Sequence, residues 1–245
     1  MKIDYLKIWS RNLGQDMEFK IYGHTGKPML VFPTSWGKFY EYEDRGMIEA
    51  CAPLIESGKI TVFAIDTIDP QSWQNEWASP GERARRHNSY DRYVSEEINQ
   101  FIRDYRHWEG RFISTGCSSG AYHAINFFFR HPDMFDSVIG LSGTYSLHSI
   151  IGDYMDNNVY YNSPLLYLPK LQDPWYIDRY RQSRIILCVG QGAWEDRMRA
   201  DTDALAKILR EKNIPYWSDL WGLDVDHDWN WWRKQIIYFL SNLNL

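Results

Sequence analysis

The sequence predicts one α/β domain: a mostly parallel central sheet with helices on both faces. Three observations carry that prediction. Short continuous apolar runs alternate with stretches of helical periodicity, the pattern of doubly buried strands and their covering helices. The chain is 245 residues long, a length that α/β domains fill as a single unit. No repeat, low-complexity tract or Gly/Ser/Pro-rich linker divides it, so the expected domain spans residues 1–245.

The elements follow in chain order. Residues 3–9 and 17–22 read as two strands, with Asn12-Leu13-Gly14 as the turn between them. No helix separates them, so they form an antiparallel edge. After a second turn at 23–28, residues 29–32 are a short buried strand. Residues 44–56 read as a helix closed by Gly58, and 59–65 as the next strand. A Trp- and Pro-containing loop occupies 69–80. Residues 83–105 carry Tyr90, Tyr93, Val94, Ile98, Phe101 and Ile102 at helical spacing. Strand 111–115, helix 119–130 and strand 137–141 come next. Strand 184–189, helix 202–212, strand 216–221 and helix 229–243 complete the alternation.

Composition excludes several classes. Hydrophobic residues make up 44% and charged residues 24%, which is globular and not disordered. A net charge of -5 and a pI near 5.8 provide no footprint for a nucleic-acid backbone. No apolar run reaches 18 residues, so no membrane span is expected. The first residues lack the apolar stretch of a signal peptide. Cys51, Cys117 and Cys188 form no CxxC pair or disulfide framework. They read as buried thiols of a cytoplasmic protein. No cluster at metal-ligand spacing appears, so neither metal nor cofactor is expected. Self-association is left open.

Gly116-Cys117-Ser118-Ser119-Gly120 matches G-x-S-x-G. It lies between an apolar strand and a helical segment, the context a nucleophile elbow requires. Glycines permit the tight turn that lifts the Ser118 hydroxyl above the sheet edge. The backbone N–H of Ser119 follows the nucleophile and is a candidate oxyanion donor. A hydrolase of this architecture places its acid and then its histidine after the serine. Of seven histidines, only His227 follows a late strand in a loop able to reach the elbow. His123 and His131 read as surface or packing residues. Just past strand 184–189 lie Glu195 and Asp196, and either can accept the imidazole Nδ1 proton. Asp201 and Asp203 read as helix-start charges.

The combination of Gly116-Cys117-Ser118-Ser119-Gly120, Phe-Arg-His-Pro-Asp-Met-Phe at 129–135, Leu141-Ser142-Gly143 and His227-Asp228-Trp229 resembles the putative-esterase family of α/β hydrolases. That family includes esterase D-like S-formylglutathione hydrolases, feruloyl esterases and mycolyltransferases. The resemblance runs from about Met29 to the end. It implies an α/β-hydrolase fold, a Ser-His-acid triad and no cofactor. By position, Ser118 corresponds to the nucleophile and His227 to the base. Members often place the acid three residues after a strand-end glycine, and Gly192 to Glu195 fits, which favours Glu195 over Asp196.

The chain departs from the family after its third strand, where Phe32-Pro33-Thr34-Ser35-Trp36-Gly37 replaces a His-Gly or Gly-rich stretch. The second oxyanion donor is then expected at the N–H of Ser35 or Thr34. Trp36 is expected to project over the site, with Tyr40 and Trp229 as further substrate-contact candidates. Residues 144–183 form a long connection rich in Tyr and Trp, expected as a small cap above the serine. The predicted activity is hydrolysis of a small-molecule carboxylic ester. The alternatives are acyl transfer by the same triad, or carbohydrate binding without catalysis.

Overall fold

The computed structural model describes residues 1–243. Among these residues, eight strands form one sheet: β1 (Ile3–Ser10), β2 (Gln15–Tyr22), β3 (Lys27–Phe32), β4 (Ile60–Ile65), β5 (Phe112–Cys117), β6 (Phe135–Leu141), β7 (Arg184–Val189) and β8 (Trp217–Leu220). Their spatial order is β1-β2-β4-β3-β5-β6-β7-β8. The β1–β2 and β2–β4 pairs are antiparallel, and every other pair is parallel. This is the α/β-hydrolase architecture, with the antiparallel edge at the start of the chain.

Alternation within the strands divides the core. Leu30 and Phe32 of β3 join one apolar cluster, while Met29 and Val31 join the other. The second cluster is closed by helix α1 (Met47–Glu56), through Met47, Cys51 and Ile55. The opposite cluster is closed largely by helices α2 (Pro80–Arg92), α3 (Ser119–Arg130) and α4 (Asp196–Glu211). Helix α5 (Trp229–Ser241) lies beside α1 and contributes Trp232, Ile236 and Phe239. Helix α3 is buried all round from residue 120 to 129, because sheet and cap enclose it. Its phenylalanines Phe127, Phe128 and Phe129 each contribute about 1.5–3 kcal/mol of burial.

Three helix starts differ from the sequence reading. Gly46, at φ 72°, separates a short turn of helix at Glu41–Asp44 from α1, so no helix runs continuously from Asp44. Helix α2 starts earlier than expected, at Pro80, under a capping box between Ser79 and Glu82. It continues through a π turn at Tyr93–Ile98 into helix Asn99–Arg106. Helix α4 starts at Asp196, six residues ahead of expectation. Its first turns carry only Met198 as a large apolar residue, so they show no periodic signal.

Short helices fill the connection between β6 and β7: His148–Ile151, Asn157–Tyr160, Pro164–Tyr167 and Pro174–Arg181. They pack on α3, whose Tyr122 hydroxyl donates to the Asn162 carbonyl at 2.9 Å. Asp201 is not a helix-start charge. It sits within α4 and accepts the N–H groups of Tyr145 (2.7 Å) and Ser146 (3.0 Å), fixing the start of the cap.

Candidate active site

Ser118 stands between β5 and α3 with φ 56° and ψ −122°, a strained backbone for a residue with a side chain. Two hydrogen-bonded neighbours hold it there. The Ser118 N–H donates to Leu141 O at 2.9 Å, and the Ser118 carbonyl accepts from Ala121 N at 3.0 Å. The flanking glycines are required by close approach. A Cβ on Gly116 would lie 2.3 Å from the Gly120 carbonyl carbon, and one on Gly120 would lie 2.3 Å from Phe32 O. The elbow is thus pressed against the end of β3.

His227 Nε2 lies 3.0 Å from Ser118 Oγ. His227 Nδ1 faces Glu195 Oε2 at 3.6 Å, and among the described residues neither atom has another partner. Glu195 is 1% exposed. Its other oxygen, Oε1, accepts the Ser142 hydroxyl at 2.6 Å, and Ser142 Oγ in turn accepts Trp232 Nε1–H at 3.1 Å. The Trp232 ring meets the His227 ring edge-on at 4.8 Å between centroids. Asp196 points away: its side chain is 96% exposed beside Arg199.

Two loops bring acid and histidine together. Gly192 N donates to Val225 O (2.9 Å), His227 N to Ala193 O (3.0 Å), and Ala193 N to Asp226 Oδ1 (2.7 Å). A side chain at Gly190 would collide with Val225 O at 2.1 Å. The glycines that follow β7 therefore let the acid loop lie directly on the histidine loop.

Ser119 opens α3, so its N–H has no acceptor within the helix. Across from it, Ser35 Oγ donates to Ser119 Oγ at 3.1 Å. The Thr34 N–H is already engaged by Glu41 Oε2 at 2.9 Å. Ser35, Ser118 and Ser119 line a cavity of about 460 Å³. Its other walls include Trp73 and Gln74, the cap residues Thr144, Leu147 and Ile150, and Trp194 and Arg197.

Trp36 and Tyr40 do not line that cavity. They border a separate groove of about 300 Å³ with Lys38 and Glu41. Trp229 packs against Trp232 at 4.9 Å, under the Arg45 guanidinium. The cap reaches the serine only through its first residues, 144–150. Five of its tyrosines lie elsewhere: Tyr160, Tyr161, Tyr167, Tyr176 and Tyr180 line a cleft of about 650 Å³ at the other end of α3.

One part of the cavity escapes the sequence reading. His123 is fully buried, and its Nε2 meets Asp69 Oδ2 at 2.9 Å; both residues line the cavity. The sequence reading places His123 at the surface or in packing; the apolar residues around it in α3, interrupted only by Asn126, are the signal for burial. His87 stacks on its ring at 5.5 Å. Burial, with His123 and Arg130 nearby, holds His87 well below the usual imidazole range. Among the described residues, no three or more His, Cys, Asp or Glu side chains are grouped to hold a metal ion. No described helix is long and apolar enough to cross a membrane.

Such an arrangement can perform nucleophilic acyl transfer, and likeness to known proteins bears on it. The fold is similar to that of a ferulic acid esterase, at 17% identity and a TM-score of 0.76 over 98% of this chain and 97% of that one. It is similar to the fluorophosphonate-binding serine hydrolase F of Staphylococcus aureus, at 17% identity and a TM-score of 0.73 over 98% and 97%. An S-formylglutathione hydrolase from Agrobacterium tumefaciens aligns at 12% identity and a TM-score of 0.75 over 98% and 93%. A search of curated protein sequences finds no significant match. The family model described as "Putative esterase" matches residues 10–243. With that match over nearly its whole length, the chain belongs to the putative esterase family.

Proposed function

We propose that this protein hydrolyses carboxylic esters through an acyl-enzyme on Ser118. The observation that carries the reading is the 3.0 Å approach of His227 Nε2 to Ser118 Oγ, with a buried carboxylate behind the imidazole. Family membership and the fold of serine hydrolases support it.

The geometry supports the following steps. Ser118 Oγ attacks the acyl carbon while His227 Nε2 takes its proton. The carbonyl π pair moves to oxygen, and the oxyanion is met by the N–H groups of Ser119 and Ser35. Glu195 remains a carboxylate and stabilises the imidazolium. The Nδ1–Oε2 separation of 3.6 Å shortens as charge develops, as catalytic hydrogen bonds do on substrate binding. The tetrahedral intermediate collapses, the C–O bond to the leaving alcohol breaks, and His227 protonates that alcohol. Water then attacks the acyl carbon while His227 takes its proton; the second tetrahedral intermediate collapses, the acyl carbon–Oγ bond breaks, Ser118 Oγ regains the proton from His227, and the carboxylic acid leaves. The cavity wall bearing Asp69, His123 and Gln74 faces the substrate. Three unpaired, buried cysteines support a reducing compartment such as the cytoplasm.

The test is labelling with a fluorophosphonate followed by peptide mapping, together with turnover of p-nitrophenyl acetate. The expected label is on Ser118, and Ser118→Ala should lose both label and turnover while remaining folded. A label elsewhere, or near-full activity in the variant, would remove Ser118 from the mechanism.

A further inference from the structure

We propose that Glu41 is a positioning residue, clamping the turn that presents the Ser35 N–H to the oxyanion. The proposal rests on the reading of Ser118 as nucleophile and Ser35 as oxyanion donor. Nothing in the G-x-S-x-G pattern or the triad calls for a carboxylate at this place, yet one is built in behind the turn.

Glu41 grips the turn at both ends. Its Oε2 accepts the Thr34 N–H at 2.9 Å, and its Oε1 accepts the Thr34 hydroxyl at 2.7 Å. At the other end the carboxylate rests on the bare Cα of Gly37, where an added Cβ would lie 2.4 Å from Oε2. The Gly37 N–H donates to Thr34 O at 2.9 Å and closes the turn. Ser35 and Trp36 lie between the two gripped residues. Trp36 adopts φ 62°, a conformation that bulky residues hold only when their surroundings impose it. Glu41 is itself anchored, because its N–H donates to Lys38 O at 2.9 Å and its carbonyl accepts from Arg45 N at 2.9 Å.

Two consequences follow for the site. Glu41 occupies the Thr34 N–H, which leaves Ser35 as the donor on this loop. It also fixes the height of Ser35 relative to Ser118, and an oxyanion donor works only within a narrow distance of the developing charge. Loss of one whole donor costs roughly 10²–10³ in kcat. Loosening the turn that carries it should cost a part of that.

The experiment compares Glu41→Ala, Glu41→Gln, Thr34→Val and Ser118→Ala. Turnover of p-nitrophenyl acetate is measured per active site, together with inhibition by phenylboronic acid, which forms a tetrahedral adduct. In Glu41→Ala, kcat should fall about 10- to 100-fold, with KM nearly unchanged and boronate affinity weakened by the same factor. Glutamine can accept the Thr34 N–H and donate to the Thr34 hydroxyl, so Glu41→Gln should recover most of the rate. Thr34→Val removes one of the two bonds and should fall between. Unchanged kcat and boronate affinity in Glu41→Ala would overturn the proposal, and if that variant does not fold, an unimpaired Thr34→Val would do so. Equal impairment of Gln and Ala would also overturn it, since charge and not grip would then matter. Activity retained in Ser118→Ala would instead sink the parent reading.

Discussion

Ser142 donates its hydroxyl to Glu195 Oε1 at 2.6 Å, joining the end of β6 to the carboxylate that follows β7. Ser142 holds φ 52° and its N–H donates to Cys188 O at 2.8 Å, so its hydroxyl is aimed by backbone contacts with the neighbouring strand. Removing it leaves a buried carboxylate oxygen and the Trp232 N–H without their partner. A bond to a charged group is worth about 1.5–3 kcal/mol. Ser142→Ala should therefore lower kcat by about tenfold or more with little change in KM. Steady-state kinetics check this; an unaltered kcat would mean that Glu195 is held without Ser142.

The second prediction concerns the elbow. A methyl group at Gly120 would meet Phe32 O at 2.3 Å and Pro33 O at 2.7 Å, and backbone cannot swing aside as a side chain does. Overpacking of this kind costs about 1–3 kcal/mol or more. At about 2–4 °C per kcal/mol for a chain of this size, Gly120→Ala should melt several degrees lower. It should also lose ester turnover, because Ser118 and the β3 loop are forced apart. A variant with unchanged melting and activity would contradict the close approach.

The third concerns the thiols. Burial pushes the Cys51 thiol up to about 12. Burial also holds Cys117 and Cys188 well above the ordinary thiol range, with nearby carboxylates adding to it. The reactive species is the thiolate, and a raised pKa keeps these groups protonated at pH 8. The native protein should react negligibly with Ellman's reagent at that pH, and three thiols should appear on unfolding. Fast reaction of Cys117 in the native state would show that the chain beside Ser118 opens readily.

The legible parts of this molecule are those with local signals. Apolar runs such as Met29–Phe32 and the G-x-S-x-G elbow are written in consecutive residues, and the sheet confirms where they lie. The Ser142–Glu195 bond spans 53 residues and the His123–Asp69 contact 54. Such pairs depend on which strands become neighbours, and strand order is not written in periodicity. The cap tyrosines illustrate a second limit: their number signals an aromatic cleft, but chain direction decides that five of them line one at the far end of α3 from Ser118. Trp36 and Tyr40 follow the same rule, since left-handed backbone at Trp36 turns on contacts with Glu41 and Gly37.

The last prediction separates the two carboxylates that the sequence alone leaves side by side. Glu195 is 1% exposed, and among the described residues its Oε2 has only His227 Nδ1 before it. Asp196 begins α4, is 96% exposed and lies 3.9 Å from Arg199. In the proposed mechanism, an amide at position 195 keeps the shape but removes the charge that stabilises the imidazolium during attack. Glu195→Gln should therefore lower kcat on the order of a hundredfold or more, with KM little changed. Asp196→Asn should leave kcat within about fivefold, since an exposed charge pair contributes at most about 1 kcal/mol. Both substitutions remove one negative charge from adjacent positions, so a general electrostatic effect would strike both alike. If Asp196→Asn were the crippled variant, the acid loop would have to turn over in the working enzyme, breaking the Ser142–Glu195 bond. If neither were impaired, His227 would act without a carboxylate partner, and the 3.6 Å approach of Glu195 would be packing alone.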